Sequence, residues 1–101
     1  MSTPVSTRIE KQDFPTSIRN VRLNVWTDRQ SYCAHLFYQK GSGTPISMAY
    51  AVSHSPDRCR LEKLLGNWVL WIGRAAFEVR DDDYQQIAGL LRCKVVSEVA
   101  A

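Results

Sequence analysis

The sequence predicts an α+β fold: an antiparallel sheet of about five strands with two α-helices packed on one face, in the order βββαββα. Three observations carry this expectation. Apolar and polar side chains alternate with period two in several stretches from Val21 onward. Ser55-Pro56-Asp57 and Asp81-Asp82-Asp83 each resemble a helix entrance. Residues 68–72 (Trp-Val-Leu-Trp-Ile) run into Gly73-Arg74, a pair that suits a two-residue turn with glycine leading.

Residues 1–17 are rich in Ser, Thr and Pro, and Pro4 and Pro15 interrupt any regular pattern. They are expected to form a flexible arm in front of a single α+β domain at 18–101. Val21-Arg22-Leu23-Asn24-Val25-Trp26 alternates as a strand with one buried face does, and Thr27-Asp28-Arg29-Gln30-Ser31 reads as a turn. Residues 32–39 make a second strand. Lys40-Gly41-Ser42-Gly43-Thr44 is a hairpin loop, since both glycines can adopt positive φ without strain. The third strand, 45–53, puts Ile46, Met48, Tyr50 and Val52 on one face. Ser47, Ala49, Ala51 and Ser53 fall on the other, small enough for a neighbour to approach closely.

After the Ser-Pro-Asp entrance, Leu61, Leu64, Leu65 and Trp68 recur at helical spacing. Two readings compete. The helix either stops at Gly66-Asn67, leaving 68–72 as a strand, or continues through Val69 and Ile72 to Gly73. The first is preferred, because the Trp-Val-Leu-Trp-Ile run suits a strand on propensity. The last helix is expected to take Asp81 as its cap, with Asp82 and Asp83 in the first turn. Tyr84, Ile87, Ala88 and Leu91 would form its buried stripe, with Arg92 at the negative end of its dipole. Residues 93–99 would give a short edge strand or a loose tail.

With 101 residues, 45% of them hydrophobic and 23% charged, the chain is long enough for one core and too apolar for the disordered class. It has no apolar run of membrane-spanning length, and Met1-Ser2-Thr3-Pro4-Val5 does not begin like a secretory signal, so a cytoplasmic location is expected. Three cysteines without paired spacing, Cys33, Cys59 and Cys93, suit reduced, half-buried small hydrophobes better than a disulfide framework. Thirteen basic and ten acidic residues give a net charge of +3, spread along the chain rather than gathered on one stretch.

No specific catalytic, cofactor or metal motif is present. Cys33 and His35 share a strand face, as a nucleophile and base would, but nothing marks an orienting third group or an oxyanion site. Cys33, His35, His54, Cys59 and Cys93 lack the close ligand pairs of structural zinc. The three aspartates lack the spacing of a calcium loop, and the Lys40 loop joins two strands, unlike a P-loop. The expected function is therefore non-enzymatic: a small regulator or inhibitor that binds a protein partner, with no cofactor and no membrane contact. Accessory proteins of phages and plasmids have this general look. Six large rings (Trp26, Tyr32, Tyr38, Tyr50, Trp68 and Trp71) are more aromatic surface than so short a chain hides easily. Arg22, Trp26, Phe37, Arg58 and Arg60 are the expected contact residues. The alternative is nucleic-acid binding, with bases stacked on the Trp26 and Phe37 face and phosphates held by arginines. Self-association through an unpaired sheet edge is a further option.

Overall fold

The computed structural model describes residues 11–96, which form eight strands and one α-helix. The strands are β1 (Gln12–Pro15), β2 (Val21–Asp28), β3 (Ser31–Tyr38), β4 (Ile46–Ser53), β5 (Cys59–Leu64), β6 (Asn67–Ile72), β7 (Ala75–Val79) and β8 (Lys94–Val96). Helix α1 (Tyr84–Leu91) lies between β7 and β8 in the chain. One sheet is an antiparallel meander in the order β1-β2-β3-β4; the other has the order β7-β6-β5-β8, with β8 parallel to β5. The expected five-stranded sheet carrying two helices is thus overturned. The fold is small and β-rich, with two sheets and a single helix.

The missing helix shows why. The Ser55-Pro56-Asp57 signal makes only one turn of 3-10 helix, Pro56–Arg58, closed by a bond from the Arg58 amide to the Ser55 carbonyl. From Cys59 the chain switches to period two. Cys59 and Leu61 are buried while Arg60 points outward, and β5 pairs with β6 from Cys59↔Ile72 to Leu64↔Asn67. Leu64 and Leu65, which a helix would have buried, end up at the hairpin tip. Their helical spacing is outweighed by the needs of β6, whose Trp68, Leu70 and Ile72 are all core residues and which must be hydrogen-bonded on both sides. Residues 68–72 are a strand, as preferred, and Gly73 (φ 62) leads the two-residue turn into β7.

Residues 1–10 of the expected arm lie outside the described residues; residues 12–15 form strand β1. Phe14 is buried opposite Leu23, and Asp13 grips Arg22 with two parallel hydrogen bonds near 3.0 Å.

Both sheets contribute to one core. Leu23, Val25, Ala34 and Ala51 from the first meet Leu61, Leu70, Ile72 and Phe77 from the second. Helix α1 lies against β2 and β5, one strand from each sheet, and buries Ile87 and Leu91 completely. Burying each of these side chains contributes about 1.5–3 kcal/mol. The Tyr84, Ile87, Ala88, Leu91 stripe faces the core as the spacing requires. The cap differs, because Asp83 occupies the N-cap position without a side-chain capping bond. Asp81 instead accepts a 3.0 Å hydrogen bond from the Trp68 indole, whose ring stacks on Tyr84 at 4.0 Å. The acidic run therefore ties the entrance of α1 to β6.

Two substitutions test this arrangement. Leu65 (φ 51) and Gly66 (φ 82) match a type I′ turn, which favours Asn-Gly, yet Leu65 is 94% exposed. Leu65→Asn is expected to raise stability by about 0.5–1 kcal/mol in urea unfolding; a loss would contradict the turn assignment. Asp81→Leu is expected to cost about 1–3 kcal/mol, because it strands the Trp68 N–H, whereas Asp81→Asn keeps an acceptor and most of the stability.

Candidate docking surface

Among the described residues, strand β4 takes the outer position in its sheet and carries exposed apolar side chains. Ile46, Met48, Tyr50 and Val52 are 61, 52, 59 and 40% exposed. The small residues turn the other way: Ala51 and Ser53 are buried and Ala49 packs at the core margin. Small side chains let β4 approach β6 of the facing sheet. The larger ones are left outside.

A bulge modifies the alternation. Leu36 pairs with Ala49, but the next residue, Phe37, pairs with Ser47, so Met48 is the extra residue on β4. Ser47 consequently joins the His35 face, where its hydroxyl lies 2.9 Å from His35 Nε2. Ile46 falls opposite Tyr38 instead of continuing the Tyr50–Val52 row. Regular geometry holds over residues 49–53, with Tyr50 and Val52 as its outward side chains.

Tyr50 is held in place from below. Its ring lies 5.9 Å from Trp26 and 5.8 Å from His35, and His35 lies 5.5 Å from Phe37. Cross-strand pairing creates this cluster: His35 opposes Tyr50 and Arg22 opposes Phe37. Trp26 and Phe37, both expected to be contact residues, are buried; Trp26 lies against Tyr50, and Phe37 against His35. Lys11 Nζ sits 4.5 Å from the centre of the Trp26 ring. Arg22 is half-buried on the same face and engaged by Asp13. Arg58 ends the 3-10 turn and Arg60 lies on β5 of the other sheet; both are exposed, and Arg60 pairs with Glu62 and lies over Trp71. The five expected residues are thus split, three in the first sheet, one in the second and one in the turn before it. The six expected surface rings resolve to one, since Trp26 and Trp68 are buried, Tyr32, Tyr38 and Trp71 are half-buried, and only Tyr50 is exposed.

The residues weighed for chemistry are dispersed. Cys33 is buried, and burial, with the nearby Asp28 carboxylate, pushes its thiol pKa up. His35 is occupied by Ser47 and its ring neighbours, and His54 Nδ1 lies 2.9 Å from the Ser31 hydroxyl. Among the described residues no three of His, Cys, Asp and Glu converge as metal ligands. Two cavities of about 290 Å³ each open elsewhere, one lined by Trp68, Glu78, Arg80, Asp81 and Asp82, the other by Arg29, Tyr32, Leu91 and Arg92. Neither includes a cysteine or histidine. No helix among the described residues is long and apolar enough to cross a membrane.

Comparison with protein-family models, with curated proteins and with solved structures finds no match to this chain. The β4 surface must be read from its own geometry.

That geometry makes a paired expectation. Val52→Lys places a charge in solvent and is expected to change stability by no more than about 0.5 kcal/mol. Ala51→Lys, one residue away, drives an ammonium into the core and is expected to cost about 4 kcal/mol or abolish folding. Equal tolerance of the two in urea unfolding would refute the assigned facing of β4.

Proposed function

We propose that this protein is a non-enzymatic interaction module, a regulator or inhibitor that binds a protein partner along β4 by strand addition and occludes the surface it covers. The observation that carries this reading is the unprotected edge. Residues 46–53 contain no charge and no proline, and Tyr50 and Val52 point outward and are exposed. Natural sheets usually blunt such an edge with charges or proline, because its free N–H and C=O groups template another chain. In strand addition those groups supply the affinity and alternate side chains supply the specificity. The partner is an extended segment with apolar side chains at every second position, packing on Tyr50 and Val52. Burial of those two groups contributes about 1.5–3 kcal/mol each, and each new backbone bond about 0.5–1.5 kcal/mol. The Trp26–His35 floor holds the Tyr50 ring in position, which lowers the entropy lost on binding.

Nucleic-acid binding through the sheet face finds less support. Trp26 and Phe37, the intended stacking platform, are buried, and Arg22 and Arg60 are already paired with carboxylates.

Affinity capture from the native host discriminates the readings when the wild-type chain is compared with a Tyr50→Lys/Val52→Lys variant, with and without nuclease. A partner that survives nuclease and falls at least tenfold with the variant is the expected result. A partner lost with nuclease would transfer the case to nucleic acid, and a partner retained equally by both chains would refute docking at β4.

A further inference from the structure

We propose that Cys59 and Cys93 form a reversible intrachain disulfide, so that the seam between β5 and β8 is an oxidation site for hydroperoxides. The pairing follows from strand register. Strands β5 and β8 run parallel with Arg60 opposite Lys94 and Leu61 opposite Val95, which places Cys59 beside Cys93 one step before the ladder begins. Neighbouring strands are about 4.8 Å apart, within the roughly 4.4–6.8 Å that disulfides span between Cα atoms. The chain reaches this position through Arg92, whose left-handed backbone (φ 52) turns it out of α1 directly before Cys93. Sequence spacing gives no hint of this pair, because β6, β7 and α1 intervene.

The two thiols have different characters. Cys59 is buried at the core, whereas Cys93 is half-buried at the margin. The neighbouring Cys59 thiol, with the backbone amides of Cys93 and Leu61, lowers the Cys93 pKa from the ordinary thiol value despite partial burial. The same proximity, together with burial, pushes Cys59 up. Cys93, the more accessible of the two, is the attacking sulfur, and Cys59 the resolving thiol. With hydrogen peroxide, the Cys93 thiolate attacks one peroxide oxygen, the O–O bond breaks, and the departing hydroxide takes up a proton to leave as water. Cys93 is then a sulfenic acid. Cys59 gives up its proton and attacks the Cys93 sulfur; the S–O bond breaks and the second oxygen leaves as water. In sum, two thiols and one peroxide become one disulfide and two waters, with two electrons passing from sulfur to oxygen. Closing the bond would fasten the three-residue strand β8 to the sheet.

The third cysteine serves as an internal reference, since Cys33 is buried in the other sheet with a raised pKa. The test treats the purified full chain with hydrogen peroxide, blocks remaining thiols in denaturant, and maps peptides by mass spectrometry. The expected product has lost two hydrogens, carries one blocked thiol at Cys33, links 59 to 93 and reverts with dithiothreitol. Its melting temperature is expected to rise by about 10 °C. In Cys59→Ser, Cys93 is expected to gain oxygen instead. In the untreated native chain at neutral pH, Cys93 is expected to react with iodoacetamide at least tenfold faster than Cys33. Three free thiols after peroxide, a link through Cys33, or a mainly intermolecular product would overturn the proposal, as would equal alkylation of Cys33 and Cys93.

Discussion

Two sheets that share a single core leave each with one hidden face and one face that the core does not use. This constraint governs the molecule. The described residues supply only an eight-residue helix as additional cover, and α1 spends its apolar stripe on β2 and β5, where it fills the core. Trp68 secures that use of the helix by joining β6 to Asp81 and Tyr84. Nothing of α1 remains to shield β4 at the far side of the first sheet.

The four sheet edges are treated differently by the sequence. Strand β1 has four residues, with Asp13 paired to Arg22 and Pro15 at its end. Strand β7 has five residues and includes Glu78, and β8 has three and begins with Lys94. Each is short and carries a charge, devices that discourage further pairing. Strand β4 has eight residues and no charge, and its bulge at Met48 leaves the remainder regular. On the proposed reading, the edge left bare beside three guarded ones is the edge that the partner uses. The small inward face of β4 belongs to the same arrangement, because Ala49 and Ala51 let the strand sit close to the core and commit the bulkier row to the outside.

Much of the fold was legible in the sequence where period two was unopposed. Strands β2, β3 and β4, the strand at 68–72, the Gly73 turn and the α1 stripe all follow local pattern. Strand β5 was not legible, since Leu61, Leu64, Leu65 and Trp68 satisfy a helical period as well as any helix, and only the pairing demand of β6 decides between them. Asp81 looked like a cap because nothing local shows that an indole N–H lies within reach. At the candidate surface, the sequence sorted the β4 side chains into a bulky and a small set but could not say which set faces inward. The usual assumption would bury the bulky set. The packing distance between sheets, a non-local quantity, reverses it. The same limit hid the Cys59–Cys93 neighbourhood, which exists only because a parallel strand returns after α1, and it made Trp26 and Phe37 look like surface rings when both are buried.

The central claim is that the outer edge of β4 is where this chain meets its partner. Residue-resolved amide hydrogen exchange, on the chain alone and saturated with the captured partner, tests it most directly. The supporting result is fast exchange at the outward amides of residues 49–53 in the free chain and strong slowing there in the complex. Slowing confined to the second sheet or the hairpin tips, with β4 unchanged, would contradict it.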